Sequence, residues 1–411
     1  MKRNTKITMA CNNLLGLVLM ILILGQFTSI LIASNTSQAA YYPDPTQYPD
    51  HIILSWSDDP ISTQSVTWRT DTSISTAYAE IARADASPNF VYQAQRIPAK
   101  TELLHFDGKS ANYHSVTFTD LQSNTLYLYR VGLERRWSEW FQFRTADKQP
   151  MPFKFIYLGD AQKNILFLWS RSIRTAYKTS PDARFIIHCG DLVQSAYDYQ
   201  GWNEWFTSGS WINATIPIMP VIGNHEYSGK SDEEDLFTPY WRTQFTLPLN
   251  GITELPETNY YFDFQGLRMI VLNSTRYKLE QAQWLEEILK NNPNRWTIIA
   301  FHHPIYCSKE GRGILEIRDL WNPIFKKYKV DLILNGHDHT YARGNNPERL
   351  PIRPNDPTGP VYVVSVSGPK LYNITKNRWM DRAAENTQLY QIISINNNIL
   401  DYKAYTVTEE L

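Results

Sequence analysis

The sequence predicts a β-sandwich followed by an α/β domain. Its 411 residues are too many for one ordinary domain. Short β-rich runs follow one another from residue 51 to residue 145, and after residue 152 apolar runs alternate with helical patterns. Hydrophobic residues make up 43% of the chain and charged residues 20%, which is typical of packed globular domains. The net charge of −1 indicates no basic surface, so we expect no nucleic-acid polymer as a partner.

Residues 1–40 have the features of a signal peptide. They combine a basic start, an apolar run and small residues at the expected cleavage point: Lys2, Arg3, Lys6, Leu14–Ile32, Ser37, Ala39 and Ala40. We therefore expect a secreted, periplasmic or cell-surface protein. The alternative is an uncleaved, membrane-anchored form, since the apolar run approaches the roughly 20 residues that span a bilayer.

Only Cys189 and Cys307 follow this segment, so the fold does not depend on a disulfide framework. Both are interpreted as small buried hydrophobes, with a disulfide between them as the alternative. The sequence leaves the oligomeric state open.

Residues 41–148 are predicted to form the sandwich. Six runs rich in Val, Ile, Thr and aromatic residues are separated by turn-prone stretches, at 51–56, 65–69, 77–82, 114–119, 126–132 and 140–145. Residues 121–131 (LQSNTLYLYRV) resemble the strand-entry region of fibronectin type III domains. That resemblance implies a corner contact by Tyr127 and a core position for Trp68.

The polar stretch 145–152 contains two prolines and is predicted to be the linker to a second domain at 149–411. In that domain helical patterns at 165–177, 278–291 and 317–328 alternate with apolar runs, which indicates an α/β fold.

Five apolar runs of the second domain each stop at a Gly- or Pro-marked turn that carries Asp, Asn or His. The turns are Gly159-Asp160, Gly190-Asp191, Gly223-Asn224-His225-Glu226, His302-His303-Pro304 and Gly336-His337-Asp338-His339. Because ligands bind at the carboxyl ends of strands in α/β sheets, we expect these side chains to converge. Oxygen and imidazole donors without thiolate suit Zn, Fe or Mn. Cations would also offset carboxylate charge that is costly to bury. One such turn alone is commonly structural, but the ordered set predicts a metal site.

This order of motifs resembles the calcineurin-like metallophosphoesterase family and, with the sandwich in front, the purple acid phosphatase group. The resemblance implies a layered α/β/β/α sandwich and a centre of two metal ions, with Fe, Zn and Mn as the candidates. Asp191 would bridge the ions. One ion would take Asp160, Asp191 and His339, and the other would take Asp191, Asn224, His302 and His337.

Two positions depart from the family pattern. Purple acid phosphatases have a ferric-binding Tyr three residues after the bridging Asp, and here that position is Gln194. Many other relatives have Asp-x-His in the first motif, and here it is Asp160-Ala161-Gln162. We therefore expect no purple colour, a weaker preference for ferric iron and easier loss of one ion, with Gln194 as a weak neutral ligand. An inactive, degenerate site is the alternative.

The resemblance implies hydrolysis of small phosphate monoesters by in-line attack of a metal-bound hydroxide. Asn224 would bind metal through a neutral oxygen. His225 would protonate the leaving group, a role suited to an imidazole.

Residues next to these motifs each have a predicted role and an alternative to it. Glu226 and Asp338 are candidates to orient the imidazoles, or else they are ordinary turn carboxylates. His303 and Arg343 are candidates to contact substrate, with a structural role and a loop-anchoring role as their alternatives. The remaining histidines are interpreted as structural: His51, His105, His114 and His188.

Two other functions remain open. The same centre could serve a phosphodiesterase or nucleotidase, because loops over the site choose the substrate, and residues 228–255 are a candidate loop. Alternatively, the chain is a non-catalytic exported binding protein. Metal content and turnover that depends on Asp191 separate the enzyme from the binding protein.

Overall fold

The structure, a computed structural model, describes residues 44–106, 108–227, 237–345 and 359–411. Residues from Asp44 to Leu411 belong to one compact unit. The predicted signal peptide and the acidic run 232–235 of the candidate loop lie outside the described residues. Within the described residues, no helix has the length and apolar character needed to cross a bilayer.

Two antiparallel sheets form the N-terminal sandwich. The first has the order β1-β2-β6-β5, with β1 at Asp50–Ser55, β2 at Gln64–Thr70, β5 at Lys100–Phe106 and β6 at Lys109–Phe118. The second has the order β4-β3-β7-β8, with β9 also paired to β7. Its strands are β3 at Tyr78–Arg83, β4 at Gln95–Pro98, β7 at Leu126–Leu133, β8 at Arg136–Trp137 and β9 at Phe141–Arg144, and a 3-10 helix covers Pro88–Gln93.

The sandwich core confirms the two aromatic predictions. Trp68 is fully buried between the sheets. The Tyr127 hydroxyl accepts a hydrogen bond from the backbone N–H of Gln122 at 2.9 Å, which is the expected corner contact. The six predicted strands correspond to β1, β2, β3, β6, β7 and β9, whereas β4, β5 and β8 were not predicted. β5 is an edge strand whose side chains are largely exposed, so its sequence lacks the apolar pattern that identified the others.

Two further sheets build the α/β part. The third sheet has the order β12-β11-β10-β20-β21. Its strands are β10 at Phe153–Leu158, β11 at Ile186–Cys189, β12 at Ile218–Val221, β20 at Leu389–Asn396 and β21 at Ile399–Thr406. The fourth sheet has the order β13-β14-β15-β16-β18-β17-β19. Its strands are β13 at Tyr260–Phe264, β14 at Leu267–Val271, β15 at Trp296–Ala300, β16 at Leu332–Asn335, β17 at Tyr341–Gly344, β18 at Val361–Val364 and β19 at Arg382–Ala384.

Four of the described helices cover the outer faces of these sheets, and a short fifth helix, Pro239–Gln244, packs against β2, β5 and β6 of the sandwich. In chain order the five helices are α1 at Ser170–Thr179, α2 at Tyr199–Gly209, α3 at Pro239–Gln244, α4 at Lys278–Lys290 and α5 at Leu315–Lys327. A π-helical turn at Ile165–Trp169 precedes α1, and 3-10 turns lie at Ser210–Ile212 and Asn224–Glu226. Predicted helices at 165–177, 278–291 and 317–328 correspond to the π turn with α1, to α4 and to α5.

The layers follow from which side chains pack together. Phe155 of β10 shares a buried cluster with Ile298 of β15, so the main core lies between the third and fourth sheets. A second cluster joins Ile299, on the other face of β15, to Leu285 of α4 and Phe325 of α5. On the far side, the α2 residue Trp205 packs against β11. The predicted α/β/β/α architecture is confirmed.

The sandwich packs closely against the α/β part. The Leu54 N–H donates to the Asn213 carbonyl at 2.8 Å, and the Tyr129 hydroxyl donates to the Ala214 carbonyl at 2.7 Å. Trp56 of the sandwich packs against the ring of Phe264 at 5.3 Å between centroids. Burial of these rings in one shared core stabilises both parts. The predicted boundary at residues 148 and 149 stays a prediction.

Candidate metal centre

All five predicted turns meet at one edge of the two packed sheets. In the third sheet the parallel strands β10, β11 and β12 run into Asp160, Asp191 and Asn224. In the fourth sheet the parallel strands β15 and β16 run into His302 and the turn that carries His337 and His339. The carboxyl ends of both strand sets therefore deliver their side chains to a common site.

Two groups of donor atoms share one carboxylate. Asp191, His302 and His337 form one group and Asp160, Asp191 and His339 the other. Within each group the donor atoms lie within 4.8 Å of one another. Asp191 Oδ2 is 3.1 Å from His302 Nε2, and His339 Nε2 is 3.7 Å from Asp160 Oδ1.

Asn224 joins the first of these groups. His337 Nδ1 lies 3.0 Å from Asn224 Oδ1 and 3.2 Å from His302 Nε2. The structure thus brings together all six residues that the sequence suggested as ligands. Their assignment to particular ions stays a prediction.

The chemistry of this donor set fits two cations. Asp160 and Asp191 are at most 1% exposed, so two carboxylates are buried side by side. Burial raises the pKa of Asp160 well above its usual value, and the Asp191 charge adds to the effect. A cation offsets the cost of burying such charges. Carboxylate, amide and imidazole donors without thiolate suit Zn, Fe or Mn.

Backbone hydrogen bonds set the orientation of two imidazoles. His302 Nδ1 lies 2.9 Å from the Cys189 carbonyl, and His339 Nδ1 lies 2.7 Å from the Lys370 carbonyl. A carbonyl only accepts, so each Nδ1 carries the proton and each Nε2 is left to face the centre.

The turns themselves need unusual backbone conformations. Asp160, Asp191, His337 and His339 all have positive φ, between 51° and 74°. Non-glycine residues adopt such angles infrequently, and Asp and His tolerate them better than most. Strained backbone of this kind clusters at functional sites.

Glycines make room where the turns approach one another. A Cβ on Gly190, whose φ is +80°, would lie 2.5 Å from His302 Nδ1. A Cβ on Gly336 would lie 2.5 Å from Asp160 Oδ2. Larger residues at these two positions would displace the proposed ligands.

Glu226 binds the backbone of the turn that carries Asp191. Its carboxylate accepts hydrogen bonds from the backbone N–H groups of Gly223, Asp191, Leu192 and Val193, at 2.8 to 3.3 Å. Among the described hydrogen bonds its partners are these backbone groups, which fits the alternative of a turn carboxylate. It positions Asp191 by fixing the backbone around it.

Glu226→Ala should lower the free energy of unfolding by about 3 to 5 kcal/mol, because several buried N–H donors would lose their acceptor. Chemical denaturation of purified protein measures this change. Glu286→Ala is the control: Glu286 pairs with Lys327 at the surface, so its loss should change stability little. Equal stabilities for the two variants would contradict the role assigned to Glu226.

Asp338 has a similar supporting role. Its Oδ2 accepts from the Ser308 backbone N–H at 2.6 Å, and its Oδ1 pairs with Arg312 Nε at 3.2 Å. Arg312 also donates to the His337 carbonyl at 2.6 Å. The carboxylate therefore holds the loop that carries Ser308 and Arg312 against the last turn, which fits the alternative of a turn carboxylate.

Gln162 and Gln194 occupy the two departures from the family pattern. Gln162 Nε2 donates to Asp191 Oδ2 at 2.7 Å, and its Oε1 accepts from Lys370 Nζ at 2.5 Å. Gln194 Oε1 is buried without a hydrogen-bond partner among the described residues. An acceptor left in this way is compatible with a weak metal ligand, which stays a prediction.

His225 and His303 both lie at the centre. His225 Nδ1 lies 2.6 Å from the Gln194 carbonyl, and its Nε2 lies 3.9 Å from Asp191 Oδ2. His303 packs its ring on His337 at 4.3 Å between centroids, and its Nδ1 lies 2.8 Å from the Ser274 hydroxyl. Contact of either residue with substrate stays a prediction.

Arg343 contacts a neighbouring strand, and the two described cysteines are unpaired. Arg343 lies on β17, and its guanidinium carbon is 5.3 Å from the ring centroid of Tyr402 on β21. It therefore packs across strands, and its loop or substrate role stays a prediction. Cys189 and Cys307 are both free thiols in the described part of the chain.

Lys370 was not among the residues predicted from the sequence. β18 is parallel to β16, so its carboxyl end reaches the same edge, and the chain continues through Gly368-Pro369 to Lys370. The signal was a sixth apolar run ending at a Gly-Pro turn. A search for Asp, Asn and His at strand ends could not detect it.

Metal binding should release protons near neutral pH. Burial lowers the pKa of His302, but the Asp191 carboxylate at 3.1 Å more than offsets this and raises that pKa to about 9. The metal-free protein therefore holds a proton at pH 7 that a metal must displace, and we expect release of about one proton or more per chain. Apparent metal affinity should rise with pH until His302 deprotonates.

Calorimetric titration of metal-stripped protein with Zn²⁺, in two buffers of different ionisation enthalpy, measures the released protons. Identical heats in both buffers would contradict the prediction. The raised pKa of His302 also makes the stability of the metal-free protein depend on pH. The His302 contribution to stability of the metal-free protein is present below its usual pKa of 6.5 and is lost as pH rises through about 9.

Comparisons with known proteins agree with this geometry. Residues 153–341 match the calcineurin-like phosphoesterase family, and residues 49–145 match the purple acid phosphatase N-terminal domain. Probable purple acid phosphatase 20 of Arabidopsis thaliana is 28% identical over 398 residues, which cover 89% of this chain and 86% of the relative.

Two further proteins extend the comparison. Fe(3+)-Zn(2+) purple acid phosphatase 12 of Arabidopsis thaliana is 26% identical over 293 residues, covering 64% of this chain, and this match spans only 60% of the relative's length. The solved purple acid phosphatase PPD1 from yellow lupin seeds superposes with a TM-score of 0.73 at 18% identity, over 89% of this chain and 73% of that one, and so shares its fold. Residues 153–341 therefore form a domain of the calcineurin-like phosphoesterase family, and residues 49–145 in front of it form a domain of the purple acid phosphatase N-terminal type.

Proposed function

We propose that the protein is an exported, metal-dependent phosphatase that hydrolyses small phosphate monoesters. The observation that carries the proposal is the pair of donor groups that share Asp191 at the bottom of one site. Purple acid phosphatases among its relatives support the same activity. Export rests on the signal-peptide features of residues 1–40.

The donor set is suited to two metal ions. Asp160 and His339 would hold one, Asn224, His302 and His337 would hold the other, and Asp191 would be shared by both. When bound, such ions lower the pKa of water and offset the charge of phosphoryl oxygens. Asn224 adds an oxygen donor without adding negative charge, so it does not repel an anionic substrate.

His225 is the candidate proton donor for the leaving oxygen. The Gln194 carbonyl accepts the Nδ1 proton of His225, so Nε2 is the atom available to the substrate. The side chain is 25% exposed, whereas Asp191 beside it is 1% exposed. His225 therefore stands between the buried donors and solvent, where a leaving group would depart.

Glu226 and Asp338 would keep this arrangement in place without touching substrate. Each carboxylate fixes a turn that presents proposed ligands, Asp191 for Glu226 and His337 for Asp338. Supporting groups of this kind matter because small displacements of reacting groups are costly for the rate.

The decisive experiment is metal analysis of the purified full chain, joined to assays on p-nitrophenyl phosphate and bis-p-nitrophenyl phosphate. Metal-stripped protein would be assayed after addition of Zn²⁺, Mn²⁺ or iron. We expect two ions per chain and faster turnover of the monoester. Faster turnover of the diester would favour the phosphodiesterase alternative. Less than one ion per chain with no turnover would favour the binding-protein or degenerate-site alternatives.

A further inference from the structure

An ammonium group is connected to the bridging carboxylate through one amide. Lys370 Nζ donates to Gln162 Oε1 at 2.5 Å, and Gln162 Nε2 donates to Asp191 Oδ2 at 2.7 Å. Gln162 is fully buried. Neither contact was predicted; Asp191 is buried and Lys370 is half-buried.

The two partners leave Gln162 only one orientation. An ammonium can only donate and an ionised carboxylate can only accept, so the amide oxygen must face Lys370 and the nitrogen must face Asp191. Gln162 therefore cannot offer its oxygen to a metal without losing both hydrogen bonds. The position formed by Asp160, Asp191 and His339, here called the first metal position, is left with three of the proposed ligands, while the other position has four.

Lys370 also adds positive charge next to the first metal position. The backbone carbonyl of Lys370 accepts the Nδ1 proton of His339. Lys370 is therefore hydrogen-bonded directly to one of the proposed ligands of this position. Among the residues that the structure describes, no carboxylate lies within 4 Å of this ammonium. The ammonium makes no direct ion pair with these residues, although it interacts with the Asp160 carboxylate at longer range. Its positive charge opposes a highly charged cation nearby.

We propose that Lys370, through Gln162, makes the first metal position a weak site selective for a divalent ion over a trivalent one. This inference rests on the proposed function, because it assumes that both donor groups hold metal. Lys370 acts as a positioning residue: its ammonium locks the amide of Gln162 and lowers the affinity of the first position for cations. Fe³⁺ would be disfavoured more than Mn²⁺ or Zn²⁺ because repulsion scales with the charge of the ion.

The test measures metal retention by the Mn²⁺-loaded full chain during dialysis against increasing concentrations of a chelator. Manganese per chain is read by atomic emission, so the result does not depend on activity. We expect the wild type to lose one ion well before the other. Lys370→Met should raise the chelator concentration that removes the first ion by about ten-fold or more, the scale for removing a nearby unit charge.

Two further variants separate charge from other effects. Lys370→Gln keeps a donor for Gln162 but removes the charge, so the same increase is expected. Lys309→Met is the matched control. Lys309 Nζ sits 3.7 Å from the ring centroid of Tyr372, which Lys370 also approaches at 5.9 Å, but Lys309 does not contact Gln162. This control should behave like the wild type.

Several outcomes would overturn the inference. One is unchanged or easier metal loss in both Lys370 variants, and another is an equal increase in Lys309→Met. An increase in Lys370→Met alone would assign the effect to the hydrogen bond and reject the role of charge. If the wild type holds two ions and the Lys370 variants hold them equally well, the inference about Lys370 is rejected and the proposed phosphatase function stands. A wild type that binds no metal would end both proposals. Thermal unfolding of each variant without metal checks that the chain remains folded.

Discussion

Asp191→Asn should remove metal from both positions and lower kcat/KM for p-nitrophenyl phosphate by at least about 1,000-fold, equivalent to about 4 kcal/mol of transition-state stabilisation. Asp191 is the one residue common to both donor groups. The amide nitrogen that replaces Oδ2 would face Gln162 Nε2 and His302 Nε2, which now lie at 2.7 and 3.1 Å. Hydrogen-bond donors would then face one another at the point where a negatively charged oxygen is needed to bind both metal ions.

Metal analysis and steady-state kinetics check this expectation. Asp182→Asn is the matched control, because Asp182 pairs with Lys154 at the surface and belongs to neither donor group. It should keep both metals and full activity. Retention of two metals by Asp191→Asn would show that Asp191 is not the bridge.

His225→Ala should slow hydrolysis of alkyl phosphates by about 100-fold or more, the usual scale for general-acid catalysis. Nitrophenyl esters should lose much less, because nitrophenolate leaves without a proton. The expectation rests on an imidazole whose Nδ1 is held by the Gln194 carbonyl at 2.6 Å while Nε2 remains available. The ratio of the two losses is the informative quantity, since structural damage would reduce both alike.

The measurement is kcat/KM on a series of monoesters with leaving groups of increasing pKa. His105→Ala serves as the control, because this exposed sandwich histidine bonds only to Ser110 among the described hydrogen bonds. It should leave the whole series unchanged. Equal losses for alkyl and nitrophenyl esters in His225→Ala would rule out proton donation to the leaving group.

The sequence was most informative for residues in the turns that directly follow strand ends. Asp160, Asp191 and His337 each follow an apolar run and a glycine, and these local rules were enough to predict their convergence. The alternation of apolar runs and helical patterns predicted an α/β domain. The layered α/β/β/α arrangement was implied by the resemblance to the metallophosphoesterase family.

Contacts between segments far apart in the sequence could not be predicted from local sequence patterns. Glu226 lies next to a proposed ligand in sequence, yet its partners include backbone groups 33 to 35 residues away. Lys370 reaches Gln162 across 208 residues. Arg343 looked like part of the last motif, but strand pairing turns it towards Tyr402. Such partners depend on the packing of sheets, which one sequence does not encode in any short pattern.

Gly190 and Gly336 contribute no donor atom, yet both are needed for the geometry of the centre. Grafting the six donors onto another scaffold would fail unless hydrogen occupied the same two points, because a single methyl group there would force the strand ends apart. Searches for distant homologues should therefore weigh these silent positions as heavily as the coordinating ones. A chain that kept every donor but had alanine at either point would be a sound candidate for a relative that has lost its metals.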